Sequence, residues 1–92
     1  MIFYYKKKVL KLSETEIYDR LRLDASRKIF ETCMYIPKSA KEIEELTGLS
    51  SRDVAEDLKI LERLEAIQLL GGKWIGTSFG KKTWLKYFGE PP

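Results

Sequence analysis

Apolar residues recur along this chain at changing intervals, and the changes divide it into elements. Ile29, Phe30, Cys33 and Met34 repeat at helical spacing. They predict a helix from about Ala25 to Tyr35, with Asp24 as its N-cap. Pro37 stops it, because proline disfavours helical geometry in the residue before it. Ser39 is placed to cap a short second helix, Ala40 to Thr47, with Ile43, Leu46 and Thr47 turned inward. Gly48 offers the left-handed backbone that ends such a helix, and Leu49 is the apolar plug of the turn. Ser50 or Ser51 then caps a third helix reaching about Leu64. Val54, Leu58 and Leu61 fall on one face of it, and Ile60 and Leu64 widen the stripe.

The period then changes. Ile67 to Leu70 reads as a strand, Gly71-Gly72 suits a tight turn whose two central residues need positive φ, and Lys73-Trp74-Ile75 is the return strand. Thr77 caps a last helix, Ser78 to Phe88. Before this block, Ser13-Glu14-Thr15-Glu16 has the form of a capping box and opens a helix to about Arg22 that buries Ile17 and Leu21. Ile2 to Leu12 is aromatic and β-branched early and lysine-rich later, and reads equally as a strand or an irregular arm.

Helix, helix, turn, helix and short hairpin, in that order, is the plan of a winged helix. The expected fold is therefore mainly α with a small β-hairpin (α+β): a three-helix core and wing over residues 24–77. Residues 1–23 form an arm and short helix, a candidate dimerisation element. Residues 78–92 form a C-terminal helix and tail.

Composition narrows the chemistry. Ninety-two residues support one small domain. No apolar run approaches the roughly 20 residues that span a bilayer. The opening Met1-Ile2-Phe3-Tyr4-Tyr5 puts apolar residues ahead of lysines, the reverse of a signal peptide, so a cytoplasmic location is expected. Histidine is absent and Cys33 is the single cysteine. The usual zinc ligands and the usual general base are thus missing, and Cys33 reads as a small buried hydrophobe. No catalytic motif is present; an enzyme, a metal site and a cofactor are not expected. The net charge of +3 is uneven: residues 1–13 carry four lysines and no acid, while the middle of the chain is mildly acidic.

A nucleic-acid partner would need one selected face to supply positive charge. Counting 100° per residue along the third helix, Arg52, Glu56, Lys59 and Arg63 share the face opposite Val54, Leu58 and Leu61, with Asp53 and Asp57 on the flank. The expected contacts to double-stranded DNA are Ser50, Ser51 and Arg52 at base edges, and Lys38, Lys41, Lys59, Arg63 and Lys73 at phosphates. The alternative is that the stripe is a solvated i, i+4 ladder of ion pairs. Lys6, Lys7 and Lys8 read either as a backbone-tracking arm or as charges guarding an aromatic edge strand. Aromatics on several sides of the last helix exceed what one small domain is expected to bury. A homodimer is therefore expected, with Ile17, Leu21, Trp84, Leu85 and Phe88 at its interface.

From Leu23 to Ile67 the chain resembles winged-helix regulators of the ArsR type and related archaeal and bacterial repressors. Leu23-Asp24-Ala25-Ser26-Arg27-Lys28-Ile29-Phe30 is similar to their first-helix signature, Ala40 to Ser50 to their second helix and turn, and Val54 to Leu61 to their recognition helix. Thr77-Ser78-Phe79-Gly80 is similar to the Thr-x-x-Gly that opens their last helix. The resemblance implies a dimeric, sequence-specific DNA-binding regulator. Glu44, in place of a small alanine, and Glu56-Asp57, in place of a basic or histidine-containing pair, depart from the pattern. The metal-sensing cysteine pair is missing, so metal gating does not carry over. The other readings are a protein-interaction module of a transcription or replication assembly, favoured by Glu44, Glu56 and Asp57, and a non-specific architectural binder.

Overall fold

The structure, a computed structural model, describes residues 14–89. The Ser13 cap, the stretch from Ile2 to Leu12 and the last three residues lie outside them. Among the described residues five helices and one antiparallel hairpin make a mainly helical α+β fold: α1 (residues 14–21), α2 (Asp24–Cys33), α3 (Ala40–Thr47), α4 (Ser51–Arg63), β1 (Ile67–Leu70), β2 (Lys73–Gly76) and α5 (Ser78–Phe88). No helix among the described residues is long and apolar enough to cross a membrane.

Three helix starts are fixed by short hydroxyl side chains that take up otherwise unpaired amides. Ser39 Oγ accepts from the Glu42 N–H, and Glu42 accepts in return from the Ser39 N–H, closing a capping box on α3. Ser50 Oγ accepts from the Asp53 N–H at the head of α4. Thr77 Oγ1 accepts from the Gly80 N–H at the head of α5. Gly48 ends α3 at φ 73°. Gly71 and Gly72 turn the hairpin with φ of 55° and 79°, as a primed turn requires, and pair Leu70 with Lys73 and Ile67 with Gly76.

α2 departs from expectation at both ends. Its N-cap is Leu23, with no side-chain cap, and Asp24 lies in the first helical turn beside Arg27. There its carboxylate meets the positive end of the helix dipole. The helix closes at Cys33, and Tyr35 and Ile36 stand in solvent. Leu46 is also exposed rather than inward. The part of α2 facing it presents Lys28, Glu31 and Thr32, so no apolar surface receives it.

The core is centred on Phe30, Ile43, Leu58 and Leu61, all but closed to solvent. α1 and α5 belong to it. Ile17 and Leu21 are fully buried, Trp84 is 3% exposed, and Trp84 stacks on Phe30 at 5.7 Å and on Phe88 at 4.6 Å. Tyr18 lies 4.5 Å from Tyr87. Glu14 accepts from Lys86 and Tyr87 across the same seam, and these bonds, Lys86 foremost, hold its carboxyl below the usual range. The dimer assignment of Ile17, Leu21 and Trp84 is therefore corrected: side chains closed within one subunit cannot meet another. Phe88 is half-buried against the same core, and Leu85 stays exposed. Cys33 is buried, and desolvation pushes its thiol up to about 12, so it packs as a hydrophobe.

α4 ends in a bonded C-terminal pattern of the Schellman type: the Glu65 N–H donates to Glu62 O and the Ala66 N–H to Leu61 O, both at 2.9 Å. The left-handed position is Glu65, at φ 64°, where a Cβ costs roughly 1 kcal/mol or more. Glu65→Gly is expected to stabilise the fold by about 0.5–1 kcal/mol, read as a raised thermal midpoint. A lower midpoint would show that the glutamate side chain contributes more than the strain it brings.

Candidate nucleic-acid interface

α4 is built to keep one side dry and the other wet. Val54, Leu58 and Leu61 are 0–3% exposed, while Ser51, Arg52, Glu56, Lys59 and Arg63 are all exposed. The ladder of ion pairs that spacing alone allowed is not formed. Among the described residues Arg52, Lys59 and Arg63 enter no salt bridge, and the ion pairs are Arg20–Asp57, Arg27–Asp24, Lys73–Glu42 and Lys86–Glu14. Three cations outside any of these pairs and one carboxylate thus share the outer stripe. Arg63 also borders a groove of about 440 Å³ whose far wall carries Glu16 and Asp19 of α1, so its field is partly offset.

Asp57 is not part of that surface. It is 6% exposed and ion-paired with Arg20, whose Nε donates to Ser26 Oγ at 2.9 Å. Of the adjacent acids Glu56 and Asp57, only Glu56 faces outward. Spacing placed Asp57 on the flank of α4; its partner is 37 positions away, which no local period reveals.

The lysines around α3 form a second positive group. The Lys38 N–H donates to Trp74 O at 2.9 Å and the Trp74 N–H to Lys38 O at 2.7 Å. This single bridge lays the α2–α3 connection along β2 as a third, one-residue strand. A lone bridge has no periodicity and leaves no signal in the sequence. Lys73, the first residue after the hairpin turn, also sits 3.8 Å from Glu42 at the head of α3, because the bridge draws β2 toward that helix. The Ser39 N–H bond holds the Glu42 carboxyl below the usual range, helped by Lys73 and Lys38. Lys41 is exposed. Lys38 and Lys73 therefore gather around the head of α3, where the helix dipole adds positive potential, with Glu42 between them. The large apolar residues exposed at the hairpin end are Leu69 and Leu70, at 50% and 54%, next to the exposed Lys73.

The head of α4 combines Ser50, Ser51 and Arg52. Ser50 serves first as the cap, and its hydroxyl hydrogen remains able to reach an acceptor. Ser51 and Arg52 are exposed on the first turn. Comparisons with protein-family models, with curated proteins and with solved structures return no match to this chain.

Proposed function

We propose that this protein is a winged-helix, sequence-specific binder of double-stranded DNA that acts in transcription regulation without enzymatic activity. The observation that carries the reading is the outer stripe of α4: Arg52, Lys59 and Arg63 exposed and free of ion pairs among the described residues. The element order and the bridge beside β2 support it. In such a module the N-terminal residues of the recognition helix reach base edges, while the preceding helix and the hairpin meet phosphates. Ser51 and Arg52 take the base-edge role with Ser50, and Lys38, Lys41, Lys59, Arg63 and Lys73 the phosphate role. Glu56 either pairs with a base-reading arginine or accepts from a cytosine amine. A homodimer would present two α4 helices to a palindromic site. Among the described residues, the outer side of α5 offers it a surface, where Leu85 and Tyr87 are 39% and 40% exposed.

The second reading, a protein-interaction module, is favoured by Leu69 and Leu70, which expose apolar side chains at the hairpin end beside Lys73. Salt-titrated binding to selected and to random duplexes separates the two. Steep salt dependence with selectivity supports the DNA reading, and absence of binding to both duplexes supports the other. Within the DNA reading, Arg52→Ala is expected to relax preference at one base pair at a cost of about 1–3 kcal/mol. Lys73→Ala should weaken all duplexes alike, and only modestly, because Glu42 already claims part of its charge. Equal loss across all sequences for Arg52→Ala would remove that residue from base reading.

A further inference from the structure

We infer that Arg20 of α1 is a positioning residue for α4, setting how the base-reading side of that helix is turned; this rests on the DNA-binding reading above. Val54, Leu58 and Leu61 hold α4 against the core, but apolar contact is non-directional and tolerates rotation about the helix axis. A charged fork does not. Arg20 joins three helices: from α1 its Nε donates to Ser26 Oγ of α2 at 2.9 Å, and its Nη2 to Asp57 of α4. Ser26 is fully buried and Asp57 6% exposed, so both anchors are fixed. Among the described residues, no second ion pair ties an α4 side chain to another element.

The pair also sets the local field. Asp53, Glu56 and Asp57 converge with Arg20 on one shallow hollow beside the head of α4. With Arg20 in place, the Asp57 charge is cancelled. Without it, three carboxylates would stand together on the flank nearest Arg52, where a polyanion must approach. Orientation and field both depend on this one guanidinium, which lies on a different helix from the residues proposed to touch DNA.

The test uses the full chain with Arg20→Met/Asp57→Leu, which removes both charges while retaining apolar bulk. Such exchanges of buried ion pairs are commonly neutral for folding. Arg20→Lys, which keeps the charge but loses the fork, is made beside it. Thermal melting is read together with binding to a selected duplex, its single-base-pair variants and a random duplex. The expected result is a folded double variant that binds the random duplex within about twofold of the parent. Its preference for the selected site falls by about tenfold, the order of one well-aligned base contact. Arg20→Lys is expected to lose part of that preference with its salt dependence unchanged. A folded double variant with the parent's selectivity overturns the inference. If the double variant melts below assay temperature, undiminished selectivity in Arg20→Lys overturns it instead. A parent chain that binds no duplex selectively overturns the DNA reading itself, and the inference with it.

Discussion

Gly80→Ala is expected to be among the most damaging single methyl additions in this fold. Gly80 sits in the first turn of α5, its N–H donating to Thr77 Oγ1 at 2.9 Å, with its Cα pressed onto the segment entering the hairpin. A Cβ built there would lie 2.3 Å from the carbonyl oxygen of Ala66 and 3.0 Å from that residue's carbonyl carbon and Cα. The obstacle is backbone, so no side chain can swing away. Ala66 is also held in place: its N–H donates to Leu61 O, and its carbonyl accepts from the Thr77 N–H. The helix would have to retreat instead, loosening the stack of Trp84 on Phe30. Alanine gains about 1 kcal/mol over glycine in helix propensity, but that gain does not offset a forced separation of packed elements. A net loss of about 2–4 kcal/mol follows, lowering the thermal midpoint by roughly 8–30 °C for a domain of this size. Gly48→Ala is the contrast. Its Cβ meets nothing within 4 Å and only the φ of 73° opposes it, a cost of about 1 kcal/mol. Equal melting of the two variants would show that α5 is not seated on Ala66 as described.

What can be read in the sequence are the features written in local chemistry. Ser39, Ser50 and Thr77 announce helix starts because a short hydroxyl at that point has a defined backbone partner two or three residues on. Gly71-Gly72 announces the turn because two positive φ values exclude most other residues. The face of α4 follows from rotation alone, so Arg52, Lys59 and Arg63 stand outside as the helical wheel requires. Glu65 escapes notice because nothing about a glutamate signals a left-handed backbone; the hydrogen bonds of the helix end impose it.

Features set by the meeting of distant segments are not legible in this way. An aromatic surplus on α5 suggests a partner subunit. The structure instead brings α1 against it, so that Tyr18 meets Tyr87 and Phe88 while Ile17 and Leu21 close the core. A helical wheel counts the faces of one helix and cannot count its neighbours. The same limit hides the Arg20–Asp57 pair and the Lys38–Trp74 bridge. These two features bear directly on the proposed interface: the first withdraws an acid from the flank of α4, and the second brings Lys38 and Lys73 together at the head of α3.

Neutralising the outer stripe in one variant, Arg52→Ala/Lys59→Ala/Arg63→Ala, should have the largest effect on the proposed activity. Each side chain is exposed and free of ion pairs among the described residues, so surface substitution here costs the fold little, about 0.5 kcal/mol or less per site. Arg63 adds a favourable term at the C-terminal end of α4, of order 0.3–1 kcal/mol, so a midpoint lowered by a few degrees is expected. DNA binding should respond far more strongly. Removing one phosphate-binding cation lowers the slope of log affinity against log salt by about 0.9. Two such removals, Lys59 and Arg63, together with the loss of the base-reading guanidinium of Arg52, weaken a selected duplex on the order of 10²–10³-fold at physiological salt. The variant also takes the formal net charge from +3 toward zero, so overall charge must be separated from local placement. Lys28→Ala/Lys82→Ala removes two exposed cations from α2 and α5 and should leave affinity within about twofold, because exposed charges farther than a Debye length of about 8 Å are screened. Glu56→Gln, which removes the one acid from the stripe, should act in the opposite direction and strengthen binding several-fold unless its carboxylate reads a base. Comparable weakening in the triple variant and the α2/α5 control would mean that net charge, and not the face of α4, governs association with DNA.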